Sequence, residues 1–328
     1  MWRNLNSEDR RRRRDERGAV LLMVMLILAL ISVLTLSWAQ EWRTELQLAA
    51  NFKEARQSRR LAEAGIYYAL GKLLEGKILE TRMASMDPQE LANQLAAAWQ
   101  GDQVVHQLKF PGGFVGVAAE DEGGKINLNR ATEETLGSLF AALGFTPEQV
   151  SIMSDSIMDW RSPGEQPRIY GAKSAYYLGL DPPYVSRNGP FESVEELGWV
   201  RGFEANQIIS RLGDYLTVQQ VSQGVNVNTA PLPVLVSMGL PPDVAQNVIQ
   251  ARQGQPFKSL QEISQLGLEV APDIFQNFGF QSSPFLTIKS TGMVNKVGGR
   301  QTIKAIVRLD ASLPNSWEIL SWADDFPG

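Results

Sequence analysis

The chain has 328 residues, with 31 Lys and Arg against 36 Asp and Glu, a net charge of −5, and length enough for two ordinary domains. It contains no Cys, which excludes thiolate zinc sites, Cys nucleophiles and disulfide bracing. Any Ser–His–Asp chemistry would need the single histidine, His106, yet that residue stands in the alternating stretch VVHQLKF, where an imidazole on a sheet face is the plain reading.

Residues 1–18 hold seven Arg (Arg3, Arg10 to Arg14, Arg17) against four acids. The rest of the chain keeps 24 basic and 32 acidic residues, a balance that does not suggest nucleic acid or anionic lipid. Ala19 to Leu36 then runs eighteen residues without a charge, with only Ser32 and Thr35 as polar interruptions. As a helix this is roughly 27 Å, close to the hydrocarbon thickness of a bilayer. The positive-inside bias keeps residues 1–18 in the cytoplasm and sends everything after Leu36 across the membrane. Trp38 and Trp42 follow where rings at a membrane–water interface belong. A secretory signal cut after Ala39 is one competing reading, because Ser37-Trp38-Ala39 loosely fits the small-x-small rule. Against it, the apolar run exceeds an ordinary signal core and bulky Trp38 adjoins the cut. The basic leader, Gly18 and immediate apolar helix instead resemble a type IV prepilin leader. That resemblance implies cleavage between Gly18 and Ala19, with Ala19 N-methylated; an uncleaved anchor is the other alternative.

Beyond Trp42, Leu46, Ala49, Phe52, Ala55, Ala62, Ile66, Ala69 and Leu73 recur at steps of three, four and seven. This predicts one helix over Ala19–Leu74, roughly 80 Å long, part in lipid and part against a soluble domain. A shorter helix is predicted over Arg82–Trp99, opened by Asp87-Pro88. Val104–Phe110 and Phe114–Ala119 read as a hairpin about Pro111-Gly112-Gly113. A second hairpin is predicted near the end, Leu286–Val294 and Gln301–Leu309 about Lys296-Val297-Gly298-Gly299. Within it Ile303, Ala305, Val307 and Leu309 share one face. Two hairpins so separated predict one antiparallel sheet laid on the long helix, with a helical domain inserted between them.

The insert repeats itself. Ile126-Asn127-Leu128-Asn129-Arg130-Ala131 matches Val225-Asn226-Val227-Asn228-Thr229-Ala230, and Leu143 to Glu148 matches Met238 to Asp243. Pro190-Phe191-Glu192-Ser193 and Glu196 match Pro256-Phe257-Lys258-Ser259 and Glu262. Asn129 and Asn228 are expected to cap the helices that follow them. Ser193 with Glu196, and Ser259 with Glu262, read as capping boxes.

The repeat resembles helix-hairpin-helix modules, which raises the alternative of a membrane-anchored DNA-binding receptor. Such modules grip phosphate with backbone N–H groups of a Gly-hydrophobic-Gly turn. Here the turn is Gly239-Leu240-Pro241-Pro242-Asp243, where two prolines remove donors and Asp243 opposes phosphate. From Val225 to Val270 only Arg252 and Lys258 face Asp243, Glu262 and Glu269, so the counterion-release contribution is missing. No nucleic acid partner is therefore expected.

Taken together, the leader ending at Gly18, the long helix, Asp121-Glu122-Gly123-Gly124-Lys125, the Asp159-Trp160 to Tyr176-Tyr177 segment, Asn188-Gly189-Pro190-Phe191 and the Val225–Ala230 motif resemble one family over nearly the whole chain. It is the K-type minor pseudopilin of type II secretion systems (general secretion pathway protein K). The resemblance implies an α+β fold, a pilin-like long helix on an antiparallel sheet with a large inserted α-helical domain of helix-hairpin-helix or SAM-like type. The divisions expected are a leader at 1–18, a membrane helix at 19–40, pseudopilin parts at 41–127 and 284–328, and the insert at 128–283. It also implies a non-enzymatic subunit at the tip of a periplasmic pseudopilus, anchored once in the bacterial inner membrane. The partners implied are I-type and J-type minor pseudopilins, the secretion platform, a prepilin peptidase and membrane lipid.

Pilin-like subunits generally carry Glu at the fifth mature position, a costly charge in a bilayer. Here Met23 stands there, as suits a subunit with nothing stacked above it, although a more hydrophobic anchor would read the same way. The family is also associated with calcium held by oxygen ligands in the insert. Asp155, Asp159 and Glu165 are the candidates for a degenerate site, while Arg161, Arg168 and Lys173 would repel a cation. A solvated loop is the competing reading. No carboxylate pair stands out for catalysis, and Gly123-Gly124 reads as a turn.

Overall fold

A computed structural model of the protein describes residues 5–81, 94, 98–203, 206–220, 224–264, 274–294, 299–310 and 312–324. Helix α1 (Leu5–Thr81) is 77 residues long, so it begins upstream of the expected start and runs on through Gly71 and Gly76. A glycine costs a helix only about 1 kcal/mol, less than the neighbouring Leu70 and Leu73 recover by being buried. Every large apolar side chain from Val20 to Leu36 points outward, as a lipid-facing rod requires. The expected apolar stripe divides in two. Ala62, Ile66, Ala69 and Leu73 are buried, whereas Leu46 and Phe52 are exposed, because the sheet covers the helix only from about Ser58 onward. Most of the helix expected over Arg82–Trp99 lies outside the described residues.

After α1 come strands β1 (His106–Phe110) and β2 (Gly113–Asp121), paired as the expected hairpin. A 3₁₀ turn at Glu122–Gly124 then leads the chain into the insert. The first repeat copy contains β3 (Ile126–Asn127), α2 (Glu133–Ala142), α3 (Pro147–Arg161), α4 (Ser174–Tyr177), a 3₁₀ turn at Val194–Trp199, α5 (Asn206–Leu212) and β4 (Leu216–Thr217). The second contains β5 (Val225–Asn226), α6 (Leu232–Ser237), α7 (Pro242–Gly254), α8 (Leu260–Ser264) and β6 (Phe278–Gly279). Each copy is closed by a two-residue parallel bridge, β3 with β4 and β5 with β6. Their apolar side chains join in one core that includes Leu136, Phe140, Ile157, Leu235 and Val248.

The chain returns through β7 (Phe285–Met293), β8 (Arg300–Leu309) and β9 (Trp317–Asp324). Among the described residues the sheet order is β1-β2-β7-β8-β9, antiparallel throughout. Strand β9 is an addition to the expected hairpins: WEILSWAD lacks a clean alternation because a bulge at Leu320 shifts its pairing with β8. Ile303, Ala305, Val307 and Leu309 are buried against α1, together with Val115, Val117 and Ile288. Helix and sheet approach so closely that a Cβ on Gly292 would lie 2.0 Å from the Ser58 carbonyl oxygen.

The two ends of the sheet differ. At one end Gln57 donates to the Gly112 carbonyl and Ser58 to that of Gly299, which places the β1–β2 turn and the residue before β8 beside the part of α1 nearer the apolar span. At the other end Asp121 bonds back to Gly101, while Trp99 packs on Tyr68 and beside Gly76. The insert leaves the sheet at Asp121 and rejoins it at Phe285, so it grows from the end away from the span.

Candidate functional site

The repeated residues make the same contacts twice. In the first copy Asn129 Oδ1 accepts from the Phe191 N–H at 2.7 Å, and its Nδ2 donates to the Phe191 carbonyl at 2.9 Å. In the second, Asn228 binds Phe257 the same way, at 2.8 and 2.9 Å. The expectation that these asparagines cap helices fails for this reason. Helix α2 is capped by the Thr132 hydroxyl instead, and α6 begins at Pro231 without a side-chain cap. Arg161 donates to the carbonyls of Leu128 and Ala131, and Arg252 donates to those of Val227 and Ala230. Burial lowers the pKa of both guanidiniums, in the first copy with help from Arg168. The capping box expected at Ser193 and Glu196 is present. In the second copy Glu262 accepts from the Lys258 N–H.

Both hairpin turns close alike, with Phe145 N–H on the Phe140 carbonyl and Leu240 N–H on that of Leu235, each 3.1 Å. Gly144 and Gly239 lie in the left-handed region at φ 89° and 106°, the position where a helix stops most cheaply with glycine. No phosphate grip follows from this turn. In the first copy Thr146 and Gln149 form a capping box that takes up helix-end donors; in the second, Pro241 and Pro242 precede Asp243. Arg252, the nearest expected phosphate ligand, is spent on carbonyls, and Glu269 lies outside the described residues.

The three calcium candidates do not share one cluster. Asp155 and Asp159 lie one turn apart on α3, and each accepts a backbone N–H from the following loop, Tyr170 to Asp155 and Arg168 to Asp159, both 3.0 Å. The Arg168 guanidinium also pairs with Glu133 and stands 3.5 Å from Asp155. Glu165 accepts instead from Ser174 and Asn188, which hold its pKa down. Burial raises the pKa of Asp159, opposed by its bond from Arg168 and the charge of Lys173. Between these groups lies Lys173, only 2% exposed. Its ammonium donates to the Asp159 carbonyl at 2.5 Å, the Ser162 carbonyl at 2.6 Å and Asn188 Oδ1 at 3.0 Å. Burial lowers the Lys173 pKa, and Asp159 and Glu165 counter that. Calcium needs six to eight oxygens, and here the carboxylates already hold N–H donors around an ammonium. The residues present do not fit calcium.

Where insert meets sheet, a buried polar junction joins them. Asp121 accepts from the N–H groups of Gly123 and Ser283, from Asn226 Nδ2 and from the Thr229 hydroxyl. Glu122 accepts from Thr217 and Thr287, and Lys125 bridges Glu122 and Glu120 at 2.7 and 3.2 Å. Burial raises the pKa values of Glu120 and Asp121; it would lower that of Lys125, but Glu122 and Glu120 outweigh it. The turn expected at Gly123-Gly124 is present, and it forms part of this charged junction through the Gly123 N–H on Asp121. At the other extreme of the molecule, Gly18 and Ala19 lie within α1, and Met23 is 66% exposed on its apolar rod. His106 stacks on Trp99, with ring centroids 3.8 Å apart.

Two family models, both described as type II secretion system protein K, match residues 117–221 and 225–277. The type II secretion system protein K of Klebsiella pneumoniae is 26% identical over 265 residues, covering 75% of this chain and 78% of that protein. The protein of the same name from Dickeya chrysanthemi is 25% identical over 331 residues, with 84% and 87% covered. In Pectobacterium carotovorum the figures are 28% over 281 residues, with 78% and 81% covered. A chain from the crystal structure of the GspK–GspI–GspJ complex of enterotoxigenic Escherichia coli shares the fold at a TM-score of 0.54 and 16% identity, over 87% of this chain and 97% of that one. A pilin-like helix and sheet carrying a duplicated helical insert, matched by two consecutive protein K models and by relatives of comparable length, place this chain in the type II secretion system protein K family, as a minor pseudopilin.

Proposed function

We propose that the chain caps the tip of a periplasmic pseudopilus and starts its assembly with I-type and J-type minor pseudopilins. The observation that carries this reading is the direction of the insert, which grows from the sheet end away from the apolar span. Helical packing of pilin rods leaves that end free only on the topmost subunit, where a domain of this size obstructs nothing. Met23 agrees with it. A carboxylate in lipid is tolerable when a neighbour's amine pairs with it, and the top subunit has no such neighbour above. The role is structural rather than enzymatic, because the buried carboxylates of Asp121 and Glu122 are spent on holding the insert. The arginine-rich segment stays cytoplasmic, and α1 crosses the inner membrane once.

The test is mass spectrometry of the protein recovered from its native membrane, together with co-purification of the two partner pseudopilins. A chain beginning at N-methylated Ala19 and carrying both partners is expected. A chain that begins at Met1 or Gln40, or that leaves the partners behind, overturns the reading. Met23→Glu is expected to reduce recovery in the assembled tip, since the new carboxylate finds no amine.

A further inference from the structure

The Lys173 ammonium is bound as a metal ion would be, by oxygens drawn from three separate points of the fold. Asp159 is at the end of α3, Ser162 opens the loop, and Asn188 lies near its close. None of the three oxygens is a carboxylate, and an ammonium has three N–H groups for them. Asn188 adopts φ 52°, and its other amide atom binds Glu165, so one side chain ties the cation to the nearest anion beyond Asp159. Ser186 also donates to Asn188 Oδ1. The Asp155 and Asp159 carboxylates meanwhile take backbone N–H groups from residues 168–170 and close the opposite side of the loop. This loop exists only in the first copy of the repeat: Arg161 and Phe191 are 30 positions apart, while Arg252 and Phe257 are five apart.

We propose that Lys173 is a built-in cation that clasps residues 162–190, so that this chain folds its insert without the divalent metal associated with its family. A side chain tethered to the loop needs no free ligand, so the clasp is insensitive to metal concentration, unlike a bound ion whose contribution follows mass action.

The experiment uses the full chain in detergent micelles. Calcium chloride is titrated into it by calorimetry, and its melting is followed with excess calcium and with excess EGTA. No saturable heat and melting temperatures equal to within about 1 °C are expected. Saturable binding accompanied by a calcium-dependent rise in melting temperature overturns the proposal. In parallel, Lys173→Met is digested with chymotrypsin, for which Tyr176 and Leu178 are partly exposed targets within the loop. Cleavage in the loop is expected to quicken about tenfold, equally with and without calcium, as loss of a charged hydrogen-bond donor predicts. Asn188→Leu removes one of the three oxygens and is expected to give about threefold, which serves if the Lys173 variant does not fold. Unchanged loop protection in the variants that fold overturns the clasp.

Discussion

The two copies of the inserted repeat share one skeleton and diverge in what they carry. Each has an asparagine holding the backbone of a distant phenylalanine, an arginine holding two carbonyls, and a glycine turn that follows its first helix. Between the arginine and the phenylalanine, the second copy passes directly through Gln255 and Pro256. The first copy inserts a loop that buries Tyr177 against Trp160 and holds the Lys173 ammonium. Burial pushes the Tyr177 phenol up to about 12, so it remains a neutral hydrogen-bond acceptor for the Arg201 N–H. The difference teaches that the clamps and the loop are separable: the clamps make the helical unit, and the loop is an elaboration with its own internal cation.

The clamps can be broken one copy at a time. Arg161→Ala and Arg252→Ala each leave two partly buried carbonyls without a donor, and each is expected to cost about 3 kcal/mol in urea denaturation. Equal losses support equivalent clamps, while a silent variant in one copy would break the comparison. Asn129→Ala and Asn228→Ala are expected to cost about 2 kcal/mol each, with the second the larger because Asn228 also reaches the Phe280 carbonyl. A third pair sharpens where the copies part. Asn226 donates to buried Asp121, whereas Asn127 donates to the Gln219 carbonyl, so Asn226→Ala should exceed Asn127→Ala by about 1 kcal/mol. The smallest effect is expected at the turn. Thr146→Ala removes a capping box and should cost about 1 kcal/mol, while Pro241→Ala loses no side-chain bond and should stay within about 0.5 kcal/mol, both read as shifts in denaturation midpoint.

Local pattern revealed the parts whose partners are near in sequence. The Ser193 and Glu196 box closes over three residues, and the alternation of Ile303, Ala305, Val307 and Leu309 is visible within one strand. The function of the repeated asparagines was invisible for the converse reason. Asn129 meets Phe191 across 62 positions and Asn228 meets Phe257 across 29, while the local pattern around each offers only the helix that follows it. Charge alone likewise makes Arg161 and Lys173 look equivalent, whereas one faces the repeat's turn carbonyls and the other fills an oxygen cage. Strand β9 carries no readable alternation because the bulge at Leu320 flips its side chains from one face to the other partway along.

From the amino-acid order alone came the apolar rod with its basic flank, the sheet split by an insert, and the duplication within that insert, because periodicity, charge asymmetry and repetition are properties of a line. Folding alone decided which carbonyls the arginines satisfy, which end of the sheet bears the insert, and that a lysine lies where oxygens converge. Those contacts depend on chain segments that meet only after the core has closed around them, when every buried donor must find an acceptor.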